Sequence, residues 1–268
     1  MSQINYCLSI LLLLILSSCV SNKSVKLNEK SKNIEYLNFE KKSILNDKIT
    51  VEYDLNVPVF LDKNSKILNQ FILESTAKYL EVPELDENYS KLNSDLLQYF
   101  VNQNDMQIES DYSELETSYL DLYKKLSIDL TYKLNELFVL SLNHETYTGG
   151  AHGIYSTDFY VFNLNKNKLL ESSDIFDVNK LNRIGYEYFL QDRGLTKKNE
   201  EMIVEEYWFE DHIFQLNNNF SIDSEFVTFV FNPYEISSYA EGQIFVKIPI
   251  KKLENAIKNE YKYIINKD

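Results

Sequence analysis

Three of the chain's six glycines fall within Tyr147-Thr148-Gly149-Gly150-Ala151-His152-Gly153, between two segments that both read as β-strands. Glycine reaches backbone angles closed to other residues, so the cluster predicts a shaped loop closing a hairpin. The strands on either side are Phe138 to Glu145 and Tyr155 to Leu164. A second loop is expected between the dense β-run Phe226 to Phe231 and the alternating Ile244, Val246, Ile248 and Ile250. It carries Pro233, Tyr234, Glu235, Ile236 and Tyr239 and ends at Gly242. Tyrosines on a constrained loop offer large contact area at low entropic cost. Pro233, Tyr234, Glu235, Ile236 and Tyr239 are therefore the candidate binding residues, the alternative being that they turn inward and only bridge the elements. Tyr147, Thr148, Gly149, Gly150, His152 and Gly153 shape the first loop. There His152 either bonds a backbone carbonyl or meets a partner.

Elsewhere, Ile49 to Val57 alternates apolar and polar residues as a half-buried strand does. A helix is expected from Asn64-Ser65 to about Leu80, with Leu68, Phe71, Ile72 and Tyr79 on one face. Leu92 to Val101 reads as a short helix ended by the polar run 102–110. Leu115, Tyr119, Leu122 and Leu126 recur at helical spacing and predict a helix over 112–126. A helix carrying Leu181, Ile184, Gly185 and Tyr188 follows, then a helical stretch over 196–208. A terminal helix is read on Leu253, Ile257, Tyr261 and Ile264. Strands interleaved with helices, and hairpins rather than regular βαβ units, give an α+β fold: antiparallel hairpins packed with helices, in two linked regions.

The N-terminus reads as an address. The aliphatic run Ile10 to Leu16 is too short to cross a bilayer, which takes about 20 residues, and it fits a signal-peptide core. Leu16-Ser17-Ser18-Cys19 resembles the lipobox of bacterial lipoproteins; an ordinary secretory signal is the alternative. The resemblance implies that residues 1–18 are removed and that Cys19 carries the lipid. The protein would then sit at the extracytoplasmic face of a bacterial membrane, the outer one where the organism has two. Residues 19–45, polar and dotted with lysines, are expected to form a flexible tether. Cys7 leaves with the peptide, so no disulfide is expected.

Two further stretches carry a family resemblance. Tyr53-Asp54-Leu55-Asn56-Val57-Pro58, Ile67-Leu68-Asn69 and the glycine loop resemble the PdaC-like (DUF4163) region of bacterial envelope proteins. Asp174-Ile175-Phe176, Phe220-Ser221-Ile222 and Asn232-Pro233-Tyr234-Glu235-Ile236 resemble a DUF3298, or RsiV-type, domain. The regions so expected are 46–154 and 155–268. The resemblance implies an α+β extracytoplasmic module with no settled catalytic activity. In its best understood type the second domain binds lysozyme on behalf of an anti-sigma factor. Only nine residues precede the aliphatic run, so anti-sigma activity is not expected. Other relatives carry a metal-binding deacetylase domain after the first region, which is missing from this sequence.

Chemistry is sparse by comparison. A net charge of −14 argues against nucleic acid as a partner. With His144, His152 and His212 the only histidines, no metal site is expected. His144-Glu145 begins like a zincin motif, but position 148 is threonine and the segment reads as strand. No nucleophile elbow or phosphate loop is present, and no cofactor is implied. Glu145, Asp158 and Glu235 are the carboxylates a glycosidase would need. The expectation is a non-enzymatic, membrane-anchored lipoprotein binding a protein such as lysozyme. The alternative is a cell-wall glycan-binding module or glycan-acting enzyme.

Overall fold

The structure, a computed structural model, describes residues 33–113, 119–196, 198 and 200–265. The expected signal peptide, Cys19 and residues 19–32 of the expected tether lie outside the described residues. Residues 34–45 are not tether. They form strand β1 (Ile34–Leu45), paired antiparallel along its whole length with β2 (Ile49–Phe60), from Ile34↔Phe60 to Leu45↔Ile49. Asn46 and Asp47, at φ 49° and 56°, take the left-handed angles a tight hairpin turn needs. β1 was hidden because it is an edge strand. Its charged residues face solvent or reach helix partners, and only Ser43 is buried.

β2 buries Val51, Tyr53, Leu55 and Val57 on one side and turns Glu52 and Asp54 to the other. From it the chain passes through α1 (Lys66–Tyr79) and α2 (Ser94–Asp111) to β3 (Leu120–Leu134), which lies parallel to β2. Such a crossover must leave the sheet, and both helices pack their apolar sides on the core behind it. The polar run 102–110 does not end α2. Asn104 and Asp105 are buried within it and held by Tyr53, Ser43 and Glu81.

The helix expected over 112–126 is corrected to strand from Leu120 onward. Leu120, Leu122, Leu126 and Ile128 also satisfy a period of two, interrupted at Lys124 by a charge. Lys124 nevertheless lies inward, only 4% exposed, because its ammonium pairs with Glu81 at 3.0 Å. β4 (Leu137–Tyr147), β5 (Ile154–Asn163) and the short β6 (Lys168–Leu170) complete a six-stranded sheet in sequence order, antiparallel except between β2 and β3.

After β6 come α3 (Ser172–Ile175), α4 (Val178–Asp192) and α5 (Glu200–Glu206). A three-stranded antiparallel sheet follows, of β7 (Phe220–Ile222), β8 (Phe226–Phe231) and β9 (Ile244–Pro249). The architecture is α+β. In place of one terminal helix there are two 3-10 segments, Ile250–Leu253 and Asn259–Ile264. Between them Ile257 bridges Phe176 and Lys258 donates to the Ile175 carbonyl, which interrupts helical bonding while keeping Leu253, Ile257, Tyr261 and Ile264 buried.

Two cores meet at β4. Phe138, Leu140 and Leu142 face the core shared with α1 and α2. Leu137 and Val139 face the core of β7–β9 and α4. The first six residues of β4 are therefore buried on both sides, and the last five, Asn143 to Tyr147, are only half-buried. The second core covers one end of the sheet face and leaves the other end open.

Candidate functional site

The uncovered part of the face is polar because alternation puts it there. Asp54 and Asn56 of β2, Lys125 and Ser127 of β3, and Asn143 and Glu145 of β4 lie side by side in register. With Tyr155 and Thr157 of β5 they line a groove of about 530 Å³. A smaller depression of about 310 Å³ lies beside it across β1–β3, between Lys42, Glu52 and Asp121.

Glu145 is the best anchored carboxylate in the groove. It accepts from the Tyr123 hydroxyl at 2.7 Å and from Lys125 Nζ at 3.3 Å. The tyrosine bond, with help from Lys125, holds the Glu145 carboxyl below the usual range. The same bond to a carboxylate pushes the Tyr123 hydroxyl up to about 12. His144, on the other side of β4, packs against Tyr79 with ring centres 5.4 Å apart and planes tilted by 58°, and burial lowers its pKa. Its Nδ1 is buried with no hydrogen-bond partner, as is Oδ1 of Asn56.

At the rim the structure brings the two predicted loops together. The glycine loop joins β4 to β5, with Gly149 and Gly150 at φ 97° and 94°. Gly153 is needed for a different reason. A Cβ there would stand 2.9 Å from both the Thr146 carbonyl oxygen and the Tyr123 hydroxyl. Tyr147 donates to the Gly150 carbonyl at 2.9 Å, and the carbonyl of Thr148 accepts from Tyr112. His152 places Nδ1 2.9 Å from the Gly153 carbonyl oxygen. Across the gap, Tyr239 donates to that carbonyl at 2.9 Å and stacks on His152 with ring centres 4.0 Å apart. Tyr155 and Tyr234 complete the cluster, at 5.9 and 5.6 Å from Tyr239.

The remaining candidates of the second loop divide. Tyr234 is 52% exposed, on a residue held at φ 72°. Pro233 beside it is half-buried. Ile236 does not belong to a binding surface. It is 8% exposed within the core around β8 and β9, because the loop turns its aliphatic side chain inward while its carbonyl accepts from Trp208. Glu235 serves a clamp. Asn232 Oδ1 accepts from the Thr157 amide at 2.9 Å, and its Nδ2 reaches Asp158 at 3.1 Å and Glu235 at 3.3 Å. Asn219 repeats the device one step along, accepting from the Phe159 amide at 2.8 Å and donating to the Thr157 carbonyl at 2.8 Å. Burial of the Glu235 carboxylate raises its pKa above the ordinary value against the lowering effect of the Asn232 and Asn217 hydrogen bonds, although the residue as a whole is exposed. Of the three carboxylates considered for glycosidic chemistry, only Glu145 lines the groove, while Asp158 and Glu235 meet at Asn232. Among the described residues no group of three or more His, Cys, Asp or Glu side chains is placed to hold a metal ion.

Asp54 and Asn56 enter the sequence reading only through the family resemblance, with no role in a site, and Tyr123 and Lys125 do not enter it at all. For β2 the signal was present in Glu52, Asp54 and Asn56, a polar side to a strand whose other side is wholly apolar. For β3 the helical reading scattered Tyr123, Lys125 and Ser127 around an axis and so concealed their common face.

Comparison with known proteins places this geometry. A model described as "Protein of unknown function (DUF3298)" matches residues 173–251, and one described as "Deacetylase PdaC" matches residues 44–155. A DUF3298 domain and a PdaC-like domain are thus both present. The chain is similar to the peptidoglycan-N-acetylmuramic acid deacetylase PdaC of Bacillus subtilis (strain 168), with 20% identity over 249 residues. That match takes in 89% of this chain but 46% of the relative, so the chain spans about half of that protein's length. Among solved structures, a DUF3298 family member from Bacteroides fragilis NCTC 9343 superposes with a TM-score of 0.69 at 21% identity, covering 85% of this chain and 94% of that one. A DUF3298 family protein from Pseudomonas aeruginosa PAO1 gives 0.54 at 16% identity, covering 84% and 94%. These two likenesses concern the fold. Both matched segments contribute to the site: Glu145 and the glycine loop come from the first, Asn232 and Tyr239 from the second.

Proposed function

We propose that this protein binds cell-wall glycan at the bacterial envelope, through the groove on the open sheet face, and is held there by a lipid on Cys19. One observation carries the reading: an open polar groove of about 530 Å³ ends at a cluster of tyrosines. Sugars present hydroxyls at their edges and C–H groups on their faces. Amides and carboxylates backed by aromatic rings meet both requirements. The similarity to a protein named for peptidoglycan deacetylation agrees with a glycan ligand. The reading is of binding rather than turnover, because, of the three carboxylates considered for glycosidic chemistry, only Glu145 lines the groove. Retention of the purified chain on peptidoglycan, compared with Glu145→Ala and Tyr155→Ala variants, tests it. Wild-type retention with at least about tenfold weaker retention of both variants is expected. Equal retention of all three would remove the groove from the function.

A second reading is favoured by Tyr234, half-exposed at the loop tip, together with the net charge of −14. In it the RsiV-type domain takes a basic, lysozyme-like protein. Titration against a c-type lysozyme at two salt concentrations examines that possibility, with affinity expected to fall as salt rises. No heat at either concentration sinks it.

A further inference from the structure

β1 ends the large sheet on one side, and its 12 residues pair with β2 without a bulge or a proline. The other terminal strands are shorter: β6 and β7 have 3 residues each and β9 has 6. Alternate backbone N–H and C=O groups of an edge strand point away from its neighbour. Among the described residues, no backbone hydrogen bond reaches β1 beyond those of its hairpin with β2. Such a row of unpaired groups is a template for a further strand.

Charge usually guards an edge of this kind, and β1 carries Glu35, Glu40, Lys41 and Lys42. Here the guard is weak. Lys41 points inward and is matched by Asp105 at 2.8 Å. Lys42 meets Glu52 at 2.8 Å, but with both side chains about 60% exposed that pair contributes little. Glu40 is exposed and makes no hydrogen bond or ion pair among the described residues. Two acids and two bases leave β1 neutral in a chain of net charge −14. Its outward side reads Tyr36, Asn38, Glu40, Lys42 and Ile44, all exposed, with Ile44 at 68%. A partner of uniform charge would satisfy one of Glu40 and Lys42 and repel the other. A second β1, antiparallel about a twofold axis at Lys41, satisfies both. It sets Glu40 opposite Lys42 twice, and it gives Ile44 an Asn38 opposite and a Tyr36 on the diagonal.

We propose that two copies of this chain associate through their β1 edges, antiparallel, with each Glu40 opposite the second copy's Lys42. The axis stands perpendicular to the sheet, so the two six-stranded sheets become continuous and their grooves open on the same face. The inference does not depend on what the groove binds.

The test is sedimentation velocity of the purified full chain, with far-UV circular dichroism to check that each variant is folded. The wild type is expected to sediment at twice the chain mass. Glu40→Lys and Lys42→Glu each set like charges opposite one another twice, and each should weaken association at least about tenfold. Mixed in equal amounts, the two variants should recover the dimer, since at positions 40 and 42 one presents only lysines and the other only glutamates. Glu87→Lys, the same change of charge in the α1–α2 connection, should associate as the wild type does. A wild type at one chain mass would overturn the inference. So would undiminished association in both single variants, or two monomeric variants that stay monomeric on mixing.

Discussion

The two halves of β4 share one backbone and one pairing partner on each side, yet they have different work. Leu137 to Leu142 is buried on both faces, between the helical core and the core of the small sheet. Asn143 to Tyr147 keeps the same ladder but loses its cover on one face, and the side chains there become amide, carboxylate and phenol. A strand covered twice is filled mainly by apolar side chains, here with the small Ser141 as the one polar member, whereas a strand covered once frees alternate positions for recognition. The site therefore arises where the second core stops.

That contrast is sharpest at Leu140, which is fully buried. Leu140→Ala should lower unfolding stability by about 2–5 kcal/mol, read by urea denaturation. Asn143→Ala, three residues on, should cost far less, within about 1 kcal/mol. Similar losses at the two positions would erase the distinction between the halves. Next in size is Gly153→Ala. Its new methyl must displace the Thr146 backbone as well as the Tyr123 hydroxyl, so a loss of about 1–3 kcal/mol is expected in the same assay. Asn232→Ala should cost about 1–3 kcal/mol by leaving the Thr157 amide without its acceptor. The clearest sign would be faster hydrogen exchange at Thr157 than at the β4-facing amides of the same strand.

The smallest effects distinguish the groove carboxylate from the clamp carboxylate by their opposite response to acid. Glu145 titrates below its unfolded value, so its stabilisation is present above that value and is lost as pH falls through the folded pKa. Glu235 titrates above its unfolded value, so it favours the folded state when protonated and that contribution is lost as pH rises through the folded pKa. Glu145→Gln should flatten the acid-side loss of stability, and Glu235→Gln should steepen it. Because the Glu145 side chain is 44% exposed, its effect should stay within about 0.5 kcal/mol. Melting temperatures measured across the carboxylate range check both signs.

Local patterns in the sequence carried the hairpins and the α+β class, because β2, β4, β5, β8 and β9 each present a clean alternation or an apolar run. The glycine loop was legible from composition alone. What stayed hidden depended on partners distant in the chain. Lys124 looks like a surface residue until Glu81 is seen beside it. β1 looks like a linker until β2 supplies its hydrogen bonds. Ile236 and Tyr239 sit three residues apart on one loop, and only packing decides that the first turns to the core and the second to His152. Recognising the groove required β3 to be a strand, since Lys125 and Ser127 share a face only in that conformation.

The asparagine clamp on β5 bears on how such a molecule behaves in a crowd. An uncovered strand edge is a template on which a neighbouring chain can polymerise. Here the Thr157 and Phe159 amides and the Thr157 carbonyl are occupied by the side chains of Asn232 and Asn219. The small sheet thus caps the larger one with amides in place of a further strand, and this edge is closed to amyloid-like extension.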